Sequence, residues 1–179
     1  MTKIQPIILA AGQGKRIIEE AVTSGMGELP KVLYLLNGKP LIDYVLNSVA
    51  QATTELVNEV ELLKPIVVVK FMQEKVREHL GDSVNYVEQN PAPLGTGHAV
   101  LVTESAVPSN ASYLLVLNGD MPAWHSSTMV EVIKESCRNQ QTLTLATVNF
   151  TDPQYSANFF AYGRLVRDGK GQLVKIVEQ

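Results

Sequence analysis

An apolar run, Ile4 to Leu9, passes directly into Ala10-Ala11-Gly12-Gln13-Gly14-Lys15-Arg16. A run of that length suits a buried strand, and the small and glycine residues mark where it emerges into a loop. A glycine-rich loop at the carboxyl end of a strand, followed by clustered positive charge, is a design for holding phosphate. Glycines let the backbone come close to an anion and aim several N–H groups at it. Arg16, and Lys31 in the later triplet Leu29-Pro30-Lys31, add charge that backbone dipoles alone cannot supply. Spacing excludes two commoner phosphate loops. A Walker A loop needs glycine five residues before its Gly-Lys pair and Ser or Thr after it, whereas Gly14-Lys15 has Leu9 upstream and Arg16 downstream. A dinucleotide fingerprint opening at Gly12-x-Gly14 would need its third glycine at position 17, which is Ile.

Beyond this loop, short apolar runs alternate with helical periodicity, the pattern of an α/β domain with a largely parallel sheet. Strands are predicted at Ile4–Leu9, Pro65–Val69, Val84–Val87, Tyr113–Leu117 and Thr142–Val148, with Pro6 suited to a strand's mouth rather than its interior. Helices are predicted at Pro40–Ala50, Gln73–Leu80, Gly97–Ser105 and Met129–Cys137. Thr128 and Glu131 are spaced as a capping box for the last of these, and Thr96 is a candidate N-cap for the third. Gln51 to Leu63 reads as a helical extension or a second helix. Ligands in such sheets collect beyond the carboxyl ends of the strands, so the loops after Leu9, Val87 and Leu117 are expected to converge on one crevice.

At 179 residues and 45% hydrophobic, the chain can bury one sizeable core, so residues 1–179 are taken as one domain. A net charge of −3 argues against a general nucleic-acid binder. No signal peptide and no run of 18 or more apolar residues is present, which makes a cytoplasmic address without a membrane partner the default. The single cysteine, Cys137, can form neither an internal disulfide nor a thiolate cluster and is expected to pack with Met129, Val130 and Ile133 on one helix face.

The opening loop resembles the signature of nucleotidyltransferases that join a nucleoside triphosphate to a phosphorylated small molecule, a pattern close to Leu-Ala-Ala-Gly-x-Gly-x-Arg followed by Leu-Pro-Lys. Further blocks narrow the resemblance: Leu35-Leu36-Asn37-Gly38-Lys39-Pro40, Leu94-Gly95-Thr96-Gly97-His98-Ala99, Leu117-Asn118-Gly119-Asp120, Tyr162-Gly163-Arg164-Leu165-Val166-Arg167 and Ile176-Val177-Glu178-Gln179. In this order they resemble the pyrophosphorylase domain of the bifunctional N-acetylglucosamine-1-phosphate uridylyltransferases, from about Ile7 to the last residue. The resemblance implies a Rossmann-like nucleotide-diphospho-sugar transferase fold, a mostly parallel sheet flanked by helices. It also implies formation of UDP-N-acetylglucosamine, a peptidoglycan precursor, and pyrophosphate from UTP and N-acetylglucosamine 1-phosphate. The partners are then these small molecules.

Such a reaction asks little of acid–base groups. A phosphate monoester has its second pKa near ~6, so at neutral pH a sugar 1-phosphate is already a competent nucleophile. The enzyme must bring two anions together, hold the in-line geometry and stabilise charge on the departing pyrophosphate. By resemblance, Arg16 and Lys31 are the catalytic cations. Leu9, Ala10, Ala11, Gly12, Gly14, Gln89, Leu94, Gly95 and Thr96 bind the nucleotide; Asn118, Gly163 and Glu178 face the sugar; Asp120 holds Mg²⁺. Each has a structural competitor: Arg16 and Lys31 as solvated cations, Gly119-Asp120 as a plain turn. His98 reads as a packed helix residue rather than an acid–base catalyst, and neither His79 nor His125 has metal-ligand spacing.

The departures matter as well. The family reads its base with a glutamine; Gln89 is the better candidate here, although strict spacing selects Asn90, and Pro93 fills a second glutamine position. Asn118 replaces a tyrosine common before the Gly-Asp pair. The insert Ile17 to Glu28, about twice the family's usual length, is either a flap over the triphosphate or a surface decoration. The family continues past Gln179 and supplies an asparagine as a second metal ligand. The chain is therefore expected to be a fragment or a shortened relative, weakly active or inactive alone and incomplete at the end of its sheet. Two alternatives stay open: a nucleotidyltransferase with another acceptor, such as the molybdopterin guanylyltransferases, and a catalytically silent nucleotide-sugar-binding module.

Overall fold

Strand β1 (Thr2–Leu9) is the axis on which the fold is organised, because it alone pairs with three others. The computed structural model describes residues 1–12, 14, 28–91, 94–148 and 163–177. Within them the elements after β1 run β2 (Leu35–Leu36), β3 (Lys39–Pro40), α1 (Leu41–Glu55), β4 (Val60–Leu62), β5 (Ile66–Val69), α2 (Gln73–Leu80), β6 (Asn85–Glu88), α3 (Thr96–Leu101), β7 (Tyr113–Asn118), α4 (Ser126–Arg138), β8 (Arg164–Arg167) and β9 (Leu173–Val177). The chain divides into two units, Met1–Leu143 and Thr144–Gln179.

The first unit is built on a five-stranded parallel sheet. On one edge β1 takes β7, with Ile4 to Leu9 opposite Tyr113 to Asn118. On the other, its first half takes β4 and its second half β5, and β6 follows outside β5. Successive strands therefore move outward on one side of β1 and then jump to the other, so a topological switch point falls between β1 and β7. Open α/β sheets bind ligands at such a point because the flanking loops there diverge to opposite faces.

Pro6 lies inside β1, not at its mouth. In a parallel strand alternate residues bond to opposite neighbours, and Leu63 N–H donates to Ile4 O while Ala10 N–H donates to Val68 O. Pro6 thus faces the same edge, where residues 63–65 interrupt the ladder between β4 and β5 and no N–H is required. Buried Gln5 braces that gap, its Nε2 donating to Lys64 O and Pro6 O, each at 2.9 Å.

Residues of β1 alternate between two cores. Ile4 and Ile8 join Val67, Val69 and Leu117 under Ile42, Val45, Val49 and Ala52 of α1, Val76 of α2, and Met129 and Ile133 of α4. Ile7 and Val68 point the other way, onto Ala11 and Ala99, with Val100 and Val102 alongside. Cover on both faces explains why β5 reads as an unbroken apolar run, whereas Leu114 and Val116 leave one face of β7 exposed. Cys137 packs with Val130 against the first cluster as expected, and burial pushes its thiol above the ordinary range, away from a reactive thiolate.

The ambiguous segment Gln51 to Leu63 resolves into the end of α1, a turn and β4. Leu56, fully buried, plugs that turn, its N–H bonded to Ala52 O. Leu56→Ala is expected to cost about 2–5 kcal/mol of stability, the range for a leucine deleted from a packed core, read by denaturant unfolding.

Two helix starts differ from expectation. α4 begins at Ser126 with His125 as N-cap, so Thr128 is not the cap of a box with Glu131. The Ser126 hydroxyl donates to Glu55 of α1, and the Ser48 hydroxyl of α1 to Trp124 O, so packing on α1 sets where α4 starts. α3 begins at Thr96 with Gly95 as N-cap, because the chain turns there through φ +92°, a conformation suited to glycine. The predicted strand Thr142–Val148 is irregular. Leu143, Leu145 and Val148 are all exposed, so its alternation has no buried face to reward a ladder.

In the second unit β8 and β9 form an antiparallel hairpin with Arg164 opposite Val177. Its turn is held by Asp168 Oδ1, which accepts the N–H groups of Lys170 and Gln172. The described parts of two sequence blocks, Arg164–Arg167 and Ile176-Val177, thereby lie on the two arms of one hairpin. Among the described residues no helix is long and apolar enough to cross a membrane.

Candidate active site

At the switch point the ends of β1 and β7 are drawn together by Gly119 N–H donating to Leu9 O at 2.9 Å. That approach favours glycine. A Cβ at position 119 would stand 3.1 Å from Leu9 O and 3.2 Å from Val32 Cγ1, tighter than ordinary contact. The glycine therefore sets where Asp120 emerges.

Lys31 reaches the same place from the short 3₁₀ turn Lys31–Leu33, whose Val32 and Leu33 are anchored in the core. Its stem lies across Gly14, where an added Cβ would come within 2.9 Å of Lys31 Cβ, and Gly14 itself has φ +61°. The two halves of the signature thus meet physically: the glycine of the loop is the floor for the lysine of Leu-Pro-Lys. Lys31 Nζ then lies 2.5 Å from Asp120 Oδ2, both side chains partly exposed. Gly14→Ala is expected to cost about 1–2 kcal/mol of stability through its left-handed backbone and, by displacing Lys31, to lower activity as well. Unfolding and turnover measured on one preparation check this; unchanged activity would separate Gly14 from Lys31.

Around this pair is a crevice of about 240 Å³ lined by Leu9, Ala10, Ala11, Gly12, Lys31, Val32, Gln89, Gly95, Thr96, Ala99, Asn118 and Asp120. Loops after β1, β6 and β7 converge as the strand order requires. A broader depression of about 700 Å³ lies at the amino ends of β5 and β6, between α1 and α2, with His79 Nε2 2.7 Å from Asp43 Oδ1 beside it. Lys39 is the one motif-block residue on its lining, none of the predicted site residues is there, and it is at the wrong end of the sheet for a switch-point ligand, so size does not mark the site here.

Gln89 and Asn90 occupy different surroundings. Gln89 is 2% exposed, lines the crevice, and continues the β6 ladder through its N–H to Val69 O. Asn90 is held outside, its Oδ1 accepting from Lys70 Nζ, which also donates to Glu88 Oε1 at 2.9 Å. The Lys70 ammonium keeps the Glu88 carboxyl below the ordinary carboxylate range. Lys70 was not singled out in the sequence. Its signal was a lone cation at the carboxyl end of an apolar strand, the same position the motif loops occupy.

Of the other sequence-predicted residues, Leu94 is 71% exposed and does not line the crevice. Arg16, Lys15, residues 17–27 of the insert, Pro93 and Glu178 lie outside the described residues. Gly163 precedes β8 in the second unit. Val32 and Ala99 line the crevice without having been proposed for it. Among the described residues no three acidic, histidine or cysteine side chains gather as a metal cage.

A switch-point crevice on a mostly parallel sheet, walled by a glycine loop and a Lys–Asp pair, defines a nucleotidyltransferase-type α/β domain. Residues 6–168 match the MobA-like NTP transferase domain family, and the chain belongs to that family. Over all 179 residues it is 35% identical to the bifunctional protein GlmU of Caldanaerobacter subterraneus subsp. tengcongensis, covering 34% of that protein. The chain spans about a third of the length of the curated relatives it matches. Among solved structures it is similar to a nucleotidyl transferase from Methanothermobacter thermautotroptrophicus, with TM-score 0.60 and 25% identity over 73% of this chain and 56% of that one. HddC from Yersinia pseudotuberculosis shares the fold, with TM-score 0.67 and 22% identity over 100% of this chain and 70% of that one.

Proposed function

We propose that the crevice binds a nucleoside triphosphate and transfers its nucleotidyl group to a sugar 1-phosphate, forming UDP-N-acetylglucosamine from UTP and N-acetylglucosamine 1-phosphate. The observation that carries this is the Lys31–Asp120 pair at the switch point, with Gln89, Gly95 and Thr96 on the opposite wall. The similarity to GlmU over the whole chain supports the choice of sugar.

A phosphate oxygen of the sugar 1-phosphate attacks the α-phosphorus, the bond between it and the β-bridging oxygen breaks, and pyrophosphate leaves with the electron pair. Lys31 neutralises phosphate oxygens as charge moves onto the leaving group, and Arg16 is assigned the same kind of role on the triphosphate. Asp120 offers a carboxylate oxygen that already has a cationic partner, the Lys31 ammonium, and so sits where a cation is stabilised. One carboxylate fits Mg²⁺, which takes most of its ligands from substrate phosphates and water. When bound, Mg²⁺ would screen the phosphates and withdraw charge from the α-phosphorus. With nucleotide bound, Lys31 would turn from Asp120 to phosphate oxygens before the α-phosphorus is attacked. Gly163 and Glu178 are assigned to the acetamido sugar, and Asn118 to its enclosure.

Pyrophosphate release over a panel of triphosphates and sugar phosphates, with and without Mg²⁺, tests the assignment. Turnover with UTP and N-acetylglucosamine 1-phosphate is expected. Turnover with GTP and another acceptor overturns it in favour of a guanylyltransferase; nucleotide-sugar binding without turnover overturns it in favour of a silent module.

A further inference from the structure

Gln89 has more hydrogen-bonding definition than a base-reading side chain requires. Its Nε2 donates to Gly95 O at 3.0 Å and lies 3.2 Å from His98 Nδ1. Orientation of a glutamine amide is ordinarily ambiguous, but a backbone carbonyl can only accept, so the NH₂ group must be the end that faces Gly95. The second N–H then has His98 Nδ1 as acceptor, which places the imidazole proton on Nε2. Both donors of the amide are committed, and only Oε1 retains capacity for a ligand. Asn90, the neighbouring amide, cannot substitute as a donor to the base, because Lys70 and the Glu88 carboxylate hold it outside the crevice.

We infer that His98 is a positioning residue which, with Gly95 O, locks Gln89 as an acceptor-only reader and so favours a base that presents a ring N–H, as uracil does at N3, over cytosine, whose N3 is itself an acceptor. This rests on the nucleotide site proposed above. With the lock in place, cytosine N3 opposite Oε1 would leave two acceptors facing each other in a buried site. Removing His98 leaves Gly95 O as the one bond of the lock, so the amide can turn its NH₂ end to the base, and discrimination falls.

Equilibrium binding of UTP and CTP to the full chain, by calorimetry, tests this without relying on turnover. The wild-type chain is expected to favour UTP by about 10–100-fold, the scale of one buried polar group left unpaired. His98→Leu is expected to reduce that ratio about tenfold or to abolish it. His98→Asn, which returns a side-chain oxygen acceptor close to the Nδ1 position, is expected to restore it, a rescue that a purely packing role would not give. In a Gln89→Ala background, His98→Leu should have no further effect on the ratio. A UTP:CTP ratio unchanged in His98→Leu, or lost equally in His98→Asn, overturns the inference while leaving the nucleotide site intact. Binding of neither nucleotide by the wild-type chain overturns both.

Discussion

Lys31→Ala is expected to lower turnover by roughly 10²–10³-fold, equivalent to about 2.7–4 kcal/mol of transition-state stabilisation, with little change in folding. The magnitude follows from preorganisation. Lys31 starts from a 3₁₀ turn buried at Val32 and Leu33, its stem rests on Gly14, and its ammonium is already aimed at the wall where the phosphates would lie. A cation held this way needs no rearrangement as charge develops on pyrophosphate, which a solvated lysine would. Stability should move by no more than about 1 kcal/mol, since a partly exposed ion pair contributes little net. Steady-state kinetics beside a denaturant curve checks both halves, and near-normal kcat/KM in an active preparation would remove Lys31 from the mechanism.

Asp120→Asn should act on the metal rather than on the fold. The isosteric amide keeps an oxygen at the crevice but loses the charge that attracts a divalent cation. Its effect on the Mg²⁺ requirement should be at least the roughly 10–100-fold that loss of a group merely supporting a metal ligand costs. Apparent Mg²⁺ affinity, from turnover as the metal is titrated, is the measurement. In the substituted chain Lys31 loses its ionic partner, so nucleotide binding without metal should weaken less than turnover, or even strengthen. Equal Mg²⁺ dependence in both forms would show that Asp120 serves only to park Lys31.

Much of the fold was legible because most strands of the parallel sheet announce themselves by apolar residues, and four of the five predicted strands lie within two residues of those observed. β4 escaped because Val60, Glu61 and Leu62 are too few to show a period and follow a helix with no strong breaker. Pro6 misled because the rule against proline inside a strand presumes a continuous ladder on both edges. Thr142–Val148 misled in the opposite sense, with alternation present and burial absent.

By itself the sequence determined the chemistry available: a glycine loop, Gln89 and Asp120 just beyond the carboxyl ends of strands, where backbone ends and ligands meet, and Lys31 at the start of a short turn. Only the tertiary structure decided which of these groups touch. Gly14 lies beneath Lys31 across a gap of 16 intervening residues, and Lys31 finds Asp120 because β7 returns to the far side of β1. That Gln89 lines the crevice and Asn90 does not turns on Lys70, 20 residues earlier than Asn90 yet adjacent across β5 and β6. Spacing along a chain cannot report such contacts, since strand order sets them and parallel pairing joins residues that local propensity treats as unrelated.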